Sequence, residues 1–345
     1  MDIAGNSQGS NQIRVVLAGF GRLGVSVMKS LLASRDQTSL VGIMPASNLS
    51  KYRFLKDHPS EIEILQLANA NSVRTLTAPS INSDEFRAEL LDLSPDILLI
   101  ASWAEIIKHS TLSLENLSAI NCHGSLLPKY RGACPHIATI FNGDEKTGIT
   151  FHLIDEGIDT GDILLQQEME VKPRETSIQL EDRIANQFGE SVVDLLRSFQ
   201  NGAIVPQKQT GDPSYVPEQH PEWAWIPWEE DPVVIDRRIR ALQGVFPLVT
   251  SDGQIAFGFE TVEVLKTDEA RLNQNAFNLL RIRAQFCPGT VLAVDSDRVI
   301  VSTMNPDFVV ELSLPVMVQS GQSPPVIRPG ERFFSIPIHS ILKSA

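Results

Sequence analysis

The densest chemistry in the chain lies in Asn121-Cys122-His123-Gly124-Ser125-Leu126-Leu127-Pro128, which runs into Lys129-Tyr130-Arg131-Gly132. This segment follows an apolar stretch that reads as a strand ending near Ile120. Side chains two apart on an extended chain face the same way. Asn121 and His123 therefore share a face, and Cys122 points opposite, into packing. An amide beside a titratable imidazole suits a reacting carbonyl, because one group can donate to a developing oxyanion and the other can carry a proton. A second polar run, Asp155-Glu156-Gly157-Ile158-Asp159-Thr160-Gly161-Asp162, forms a glycine- and aspartate-rich loop after another strand. Folded back over the first, it brings a carboxylate to His123, which would orient the ring and raise its pKa. The competing reading is a polar turn with a capping Asn and a half-exposed His. Pattern alone leaves both standing.

The elements that must position these loops are legible from periodicity. Ile13 to Ala18 is a continuous apolar run that ends at Gly19, and an apolar-periodic segment follows from Val25 to Leu32, the opening of a βαβ unit. Ser39 to Met44 and Ile97 to Ala101 read as further buried strands, and Ile62 to Leu67 as either a short strand or a helix. Ser83 to Leu93 reads as a helix with Ser83 as its cap and Phe86, Leu90 and Leu91 on one face. Strands alternating with helices predict a parallel sheet covered on both sides. Ile149 to Ile154 is another strand. Thr176 and Gln179 form a capping box ahead of Leu180, Ile184, Phe188, Val192, Leu195 and Leu196 at helical spacing, with Gly202 as the stop.

The character changes over residues 203–227, where prolines, glutamines and Trp223 and Trp225 appear, with Trp228 just beyond. This stretch reads as a linker, with the tryptophans pinning it to a domain rather than stacking on a base. Asp231-Pro232 then starts a helix that runs to about Leu242. Strands follow at Ile255–Leu265, Thr290–Val294, Arg298–Ser302 and Phe308–Leu314, with a turn at Asp295-Ser296-Asp297. The expected layout is a flexible tail (1–12), an α/β catalytic domain of Rossmann-like design (13–202), the linker (203–227) and a small antiparallel, OB-like barrel (228–345).

Gly19-Phe20-Gly21-Arg22-Leu23-Gly24 matches the G-x-G-x-x-G pattern between a strand and a helix, which suggests dinucleotide binding and an NAD(P) dehydrogenase. That reading also needs an acid at the end of the second strand for the adenosine ribose. Met44-Pro45-Ala46-Ser47-Asn48 offers none, which favours a tight turn where backbones pack closely.

Composition sets the remaining bounds. The chain has 345 residues, 42% hydrophobic and 21% charged, enough for a core that needs no disulfide or metal. Its 29 Lys+Arg against 42 Asp+Glu give a net charge of −13, which argues against a generally basic nucleic-acid binder. The three cysteines, Cys122, Cys134 and Cys287, lack metal-knuckle spacing and point to a reducing compartment. There is no signal-like start and no apolar run near the roughly 20 residues of a membrane helix. A cytoplasmic protein without membrane attachment is the expectation.

Three ordered motifs now coincide: Asn-x-His-Gly-Ser-Leu-Leu-Pro-x-Tyr-Arg-Gly from Asn121, Asn142-Gly143-Asp144-Glu145 with Gly148, and Asp155-x-Gly-x-Asp159-Thr-Gly161-Asp-Ile-Leu164. Together they resemble the 10-formyltetrahydrofolate-dependent formyltransferases over about residues 95–200, and more weakly before that. The region after Trp228 is similar, more loosely, to the C-terminal barrel of methionyl-tRNA formyltransferases, through Ile239-Arg240-Ala241-Leu242 and Pro288-Gly289-Thr290-Val291-Leu292. The resemblance implies Asn121, His123 and Asp159 as the catalytic triad. It implies Ser125, Leu126, Leu127 and Pro128 as a folate-contacting segment, Asp155 near the folate, and Ile106 and Ile107 along the pterin slot. It also implies a Rossmann-like domain that works without NAD(P) or metal, with 10-formyltetrahydrofolate as formyl donor and an amine as acceptor. The chemistry expected is attack of that amine on the formyl carbon. Asn121 would donate to the oxyanion, and His123 would act as a cation or proton shuttle. Asp159 would hold His123, directly or through a water.

Other residues are weighed against this. A Cys122–His123 nucleophile pair fails because neighbours on an extended chain point apart. His136, after Cys134-Pro135, reads as pocket wall or acceptor contact, and His58, His109, His152, His220 and His339 read as isolated groups without metal spacing. Arg237, Arg238 and Arg240 read as a solvated helix face. For the acceptor, length and layout favour initiator methionyl-tRNA. The loop Pro45-Ala46-Ser47-Asn48-Leu49-Ser50-Lys51-Tyr52-Arg53 and a tail with 11 Lys+Arg against 14 Asp+Glu lack the basic character that phosphates require. An amino-sugar nucleotide, or another small amine, is the alternative, with hydrolysis to formate and a non-catalytic folate-binding module behind it.

Overall fold

A computed structural model describes residues 12–49, 57–216, 221–245, 248–251, 256–259, 261–270, 287–317 and 326–335. The expected tail (1–12) therefore falls almost wholly outside the described residues, as does the end of the 45–53 loop. The chain divides into two compact units. The first comprises residues 1–135, 146–170 and 180–216, and the second 136–145, 171–179 and 217–345.

In the first unit, β1 (Ile13–Gly19) leads into α1 (Gly21–Ala33), and β2 (Thr38–Met44) precedes α2 (Pro59–Ala70). Next come β3 (Arg74–Thr75), α3 (Asp84–Leu93), β4 (Ile97–Ala101), the short α4 (His109–Leu112) and β5 (Ser118–His123). After α5 (Pro135–Asn142), whose residues from His136 on belong to the second unit, come β6 (Lys146–Leu153), β7 (Ile163–Glu170) and α6 (Ser177–Gln200). The strands form one sheet in the order β3-β2-β1-β4-β5-β6-β7. It is parallel from β3 to β5, while β6 and β7 join antiparallel. β4 is an unbroken apolar run, and β1 is apolar apart from the exposed Arg14, because both faces of the sheet are covered. One face packs Val16, Ala18, Leu98 and Ile100 against Phe86 and Leu90 of α3. The ambiguous segment at 62–67 is helix, inside α2.

Local signals explain most element ends. Ser83 caps α3 by accepting the Phe86 N–H at 3.1 Å. Thr176 and Gln179 exchange both bonds of a capping box, at 3.3 and 3.0 Å. The glycine-rich turn after β1 has a packing cause. A Cβ at Gly19 would lie 2.5 Å from the Ala101 carbonyl oxygen, and one at Gly24 would lie 3.0 Å from the Gly19 carbonyl carbon.

The second unit contains α7 (Pro232–Leu242), β8 (Leu248–Ser251), β9 (Ala256–Phe259), β10 (Val262–Lys266), β11 (Val291–Val294), β12 (Arg298–Ser302), β13 (Phe308–Ser313) and β14 (Pro315–Met317). Among the described residues these strands form two antiparallel sheets, β10-β13-β12-β11 and β14-β9-β8, consistent with the small antiparallel β domain expected there. The single strand expected at 255–265 is thus two strands in different sheets. Asp231 caps α7 at the Val233 N–H, 2.8 Å away, with proline in the first turn as expected.

The arginines of α7 are a correction, for they are half-buried rather than solvated. Arg240 pairs with Asp236 at 2.7 Å and bonds the Glu175 carbonyl at 2.8 Å, and Arg238 lies over the Phe141 ring. Trp228 is fully buried and donates to Thr250 Oγ1 at 2.9 Å, so it is a core anchor. The 203–227 stretch is not one piece either. Gln207 bridges to Ile163 and Tyr215 to Arg131, within the first unit. Among the described residues no helix is long and apolar enough to cross a membrane.

Candidate active site

Asn121, Cys122 and His123 end β5, between β4 and β6. The antiparallel register sets Asn121 opposite His152 and His123 opposite Thr150. His123 is 4% exposed. Its Nδ1 lies 3.3 Å from Asp159 Oδ2, and its Nε2 donates to the Tyr130 carbonyl at 2.8 Å. Asp159 therefore touches the ring directly, without the intervening water left open by the sequence. Asn121 Nδ2 donates to Asp159 Oδ1 at 3.1 Å, and the Gly132 N–H donates to Asp159 Oδ2 at 2.8 Å. The Asn–His–Asp arrangement expected from two separate loops is thus assembled around one carboxylate.

His152 is the residue that sequence reasoning passed over. It is 2% exposed, its Nδ1 bonds the Leu153 carbonyl at 2.8 Å, and its Nε2 lies 3.1 Å from Asn121 Nδ2 and 3.4 Å from Asp159 Oδ1. A ring nitrogen facing a carbonyl carries the proton, so in the neutral ring Nε2 is left to accept from Asn121. Both Asn121 amide hydrogens are then engaged, one by Asp159 and one by His152. The missed signal was its position in ITFHLI, where it sits among apolar strand residues, directly across from Asn121.

The His123 pKa is lowered overall, not raised as a neighbouring carboxylate alone would do, because burial pulls it down by more than the adjacent Asp159 charge restores. His152 lowers it further, and the Tyr130 carbonyl raises it. At Asp159 burial favours the neutral acid. His123, His152 and the Gly132 N–H outweigh it and hold the carboxyl well below the usual range. The site therefore keeps a carboxylate ionised in a largely dry place beside an imidazole poised between opposing influences. Cys122 is buried with its thiol pushed up by desolvation, the opposite of an activated nucleophile. Burial pushes His136 down to about 4, so it is neutral near pH 7.

The Asp159 loop is built by its own small residues. Asp155 Oδ1 accepts from the Gly157 N–H at 3.0 Å and from the Thr160 hydroxyl, so this exposed carboxylate shapes the turn. A Cβ at Gly161 would lie 1.7 Å from the Leu153 carbonyl oxygen. Asp159 itself has φ +51°. That left-handed conformation costs a non-glycine residue on the order of 1–2 kcal/mol.

The segment from Ser125 to Pro128 is held from β6 and β7. Thr150 Oγ1 donates to the Ser125 carbonyl at 2.6 Å, and Gln166 Nε2 donates to the Leu127 carbonyl at 3.0 Å. The Leu127–Pro128 peptide is cis. Leu126 and Pro128 are half-buried, whereas Ser125 and Leu127 are buried. The expected Ile106–Ile107 pair divides. Ile107 is 4% exposed and belongs to the core, while Ile106 is 58% exposed and is the one available to a ligand.

A formyl transferase family profile matches residues 14–196, which span the sheet and both loops. The chain belongs to the formyl transferase family. The methionyl-tRNA formyltransferase of Corynebacterium aurimucosum is 34% identical to it over 66% of this chain and 69% of that one. That of Caldanaerobacter subterraneus is 31% identical over 67% and 74%. An N-formyltransferase from Helicobacter canadensis, solved with folinic acid and dTDP-3-aminofucose, shares the fold at 20% identity. The TM-score is 0.62, over 88% of this chain and 99% of that one. This formyltransferase thus carries its polar cluster at the ends of β5 and β6, where the sheet changes from parallel to antiparallel.

Proposed function

We propose that the protein transfers the formyl group of 10-formyltetrahydrofolate to the amino group of initiator methionyl-tRNA in the cytoplasm, with Asn121, His123 and Asp159 as its catalytic residues. The observation that carries the chemistry is the single ionised carboxylate that contacts both His123 and Asn121. The identity to methionyl-tRNA formyltransferases supports the acceptor. In this reading, the amine nitrogen attacks the formyl carbon and the carbonyl pair moves to oxygen. The Asn121 amide exchanges its His152 contact for that oxyanion, and His123, kept protonatable by Asp159, adds positive charge. His123 then gives its proton to the folate nitrogen, the oxygen pair re-forms the carbonyl as the carbon–nitrogen bond to the folate breaks, and the neutral imidazole takes the proton that the amine loses. The products are the formylated amine and tetrahydrofolate. Ser125, Leu126, Leu127, Pro128, Asp155 and Ile106 form the folate-binding side, with Ile107 behind them in the core.

A small amine, such as an amino-sugar nucleotide, is the second reading, favoured by the net charge of −13. Tetrahydrofolate release separates the two. It should require methionyl-tRNA and weaken with salt. Release with amino-sugar nucleotides but not with the tRNA would replace the acceptor, and release with no acceptor would make the enzyme a hydrolase. Asn121→Ala should slow transfer by about 10²–10³.

A further inference from the structure

The stretch after α6 buries little of itself, with Val205 77% and Tyr215 52% exposed. It is nevertheless stitched down at both ends. Gln207 exchanges two backbone bonds with Ile163, at 2.7 and 2.9 Å. Ser214 accepts the Tyr130 N–H on Oγ at 2.9 Å and the Arg131 N–H on its carbonyl at 2.8 Å, and donates its own N–H to the Pro128 carbonyl at 3.1 Å. Between these anchors one side chain turns inward. Gln209 Nε2 donates to the carbonyls of Asp159, at 2.7 Å, and Gly161, at 2.9 Å. Its Oε1 accepts from Arg131 Nη2 at 2.7 Å and Nε at 3.2 Å. One amide therefore joins the loop that carries Asp159 to the loop whose Tyr130 carbonyl holds His123.

Gln209 is half-buried and adds little to any apolar core, so hydrophobic packing does not account for this arrangement. Asp159 sits in a left-handed conformation that its own sequence does not favour. The two bonds to the Asp159 and Gly161 carbonyls fix the Asp159–Thr160 and Gly161–Asp162 peptides. We infer that Gln209 is a positioning residue for formyl transfer, strapping the Asp159 loop so that its carboxylate meets His123. The inference rests on the Asn121–His123–Asp159 reading.

The test uses the full chain. Gln209→Met keeps the length of the side chain and removes all four bonds. The groups that face His123 are Asp159, His152 and the Tyr130 carbonyl, and Asp159 is the charge that raises its pKa. Loosening Asp159 should therefore move the His123 titration, followed by NMR, to lower pH. The variant should also lower kcat by about ten- to a hundredfold while leaving KM for the folate donor unchanged. Val205→Ala, at an exposed position of the same stretch, should change neither. Asp159→Asn calibrates both readouts: if it keeps wild-type turnover, the triad reading itself fails. If Asp159→Asn acts but Gln209→Met keeps both the His123 titration and kcat at wild type, the strap inference is overturned and the triad stands. Should Gln209→Met not fold, Gln209→Asn keeps a neutral amide but shortens the side chain so that it cannot span both loops, with the same expected and overturning results.

Discussion

Charge and hydrogen-bond valence at a few atoms decide what the site can do. Asp159 offers two oxygens, and Asn121, Gly132 and His123 together occupy both. Its depressed pKa has a consequence for stability. A carboxyl held below its unfolded value stabilises the fold fully above the ordinary carboxylate range, and this contribution is lost as pH falls toward the folded value. The stability gap between wild type and Asp159→Asn, measured by denaturant titration, should be constant near neutrality and shrink on acidification. His136 works in the same pH direction. Depressed to about 4, it stays neutral in the fold while the unfolded chain protonates near 6.5, so its contribution is lost between those values as pH falls. His152→Leu should remove the contact that aims the Asn121 amide before it turns to the oxyanion and reduce kcat by roughly tenfold through lost positioning, with little change in KM for the folate donor. Equal kcat would show that His152 only fills space. Asn121, His123 and Asp159 were legible in the sequence because Asn121 and His123 share a face of one extended segment and all three fall in motifs that resemble a known family's. His152 and Gln209 were not, because their partners are 31 and 50 residues away in sequence.

Strand and loop geometry turns these residues into a site. Runs such as Ile97–Ala101 were legible because a strand covered on both faces must be apolar throughout. β7 was harder to see. Its sequence, ILLQQEME, is mixed in character, and its place at the sheet edge follows from pairing with β6. The stretch after α6 looked like a linker because its composition is polar. Its order comes from backbone bonds, which leave no periodicity to read. The tightest steric constraint near the site is Gly161. A Cβ there cannot coexist with the Leu153 carbonyl, so Gly161→Ala should displace the loop that carries Asp159. The expected cost is on the order of 3 kcal/mol in stability and at least about a hundredfold in turnover. A wild-type melting temperature and rate in this variant would contradict the loop geometry.

Across the whole molecule, the charge that weakened a nucleic-acid partner now bears on the acceptor. An acidic chain that binds tRNA must do so through few phosphates. Raising salt from about 50 to 200 mM should then raise KM for methionyl-tRNA on the order of tenfold, as about two phosphate contacts would give. No salt effect would favour a small amine. The second unit is not a simple appendage, because it takes in residues 136–145 and 171–179 from between the elements of the first. Within it Ser177 Oγ bonds the Ala241 carbonyl at 2.7 Å and Arg174 pairs with Glu263 at 2.7 Å. Truncation after residue 216 should therefore lower the melting temperature by at least about 2–4 °C, as a loss of roughly 1 kcal/mol or more would do.

The most direct test of the central claim is tetrahydrofolate release from 10-formyltetrahydrofolate, followed with methionyl-tRNA, with amino-sugar nucleotides and with no acceptor, in wild type and in Asp159→Asn. Release should depend on methionyl-tRNA and fall by about 10²–10³ in the variant. Release at the same rate in Asp159→Asn, or no release with any amine, would contradict the claim.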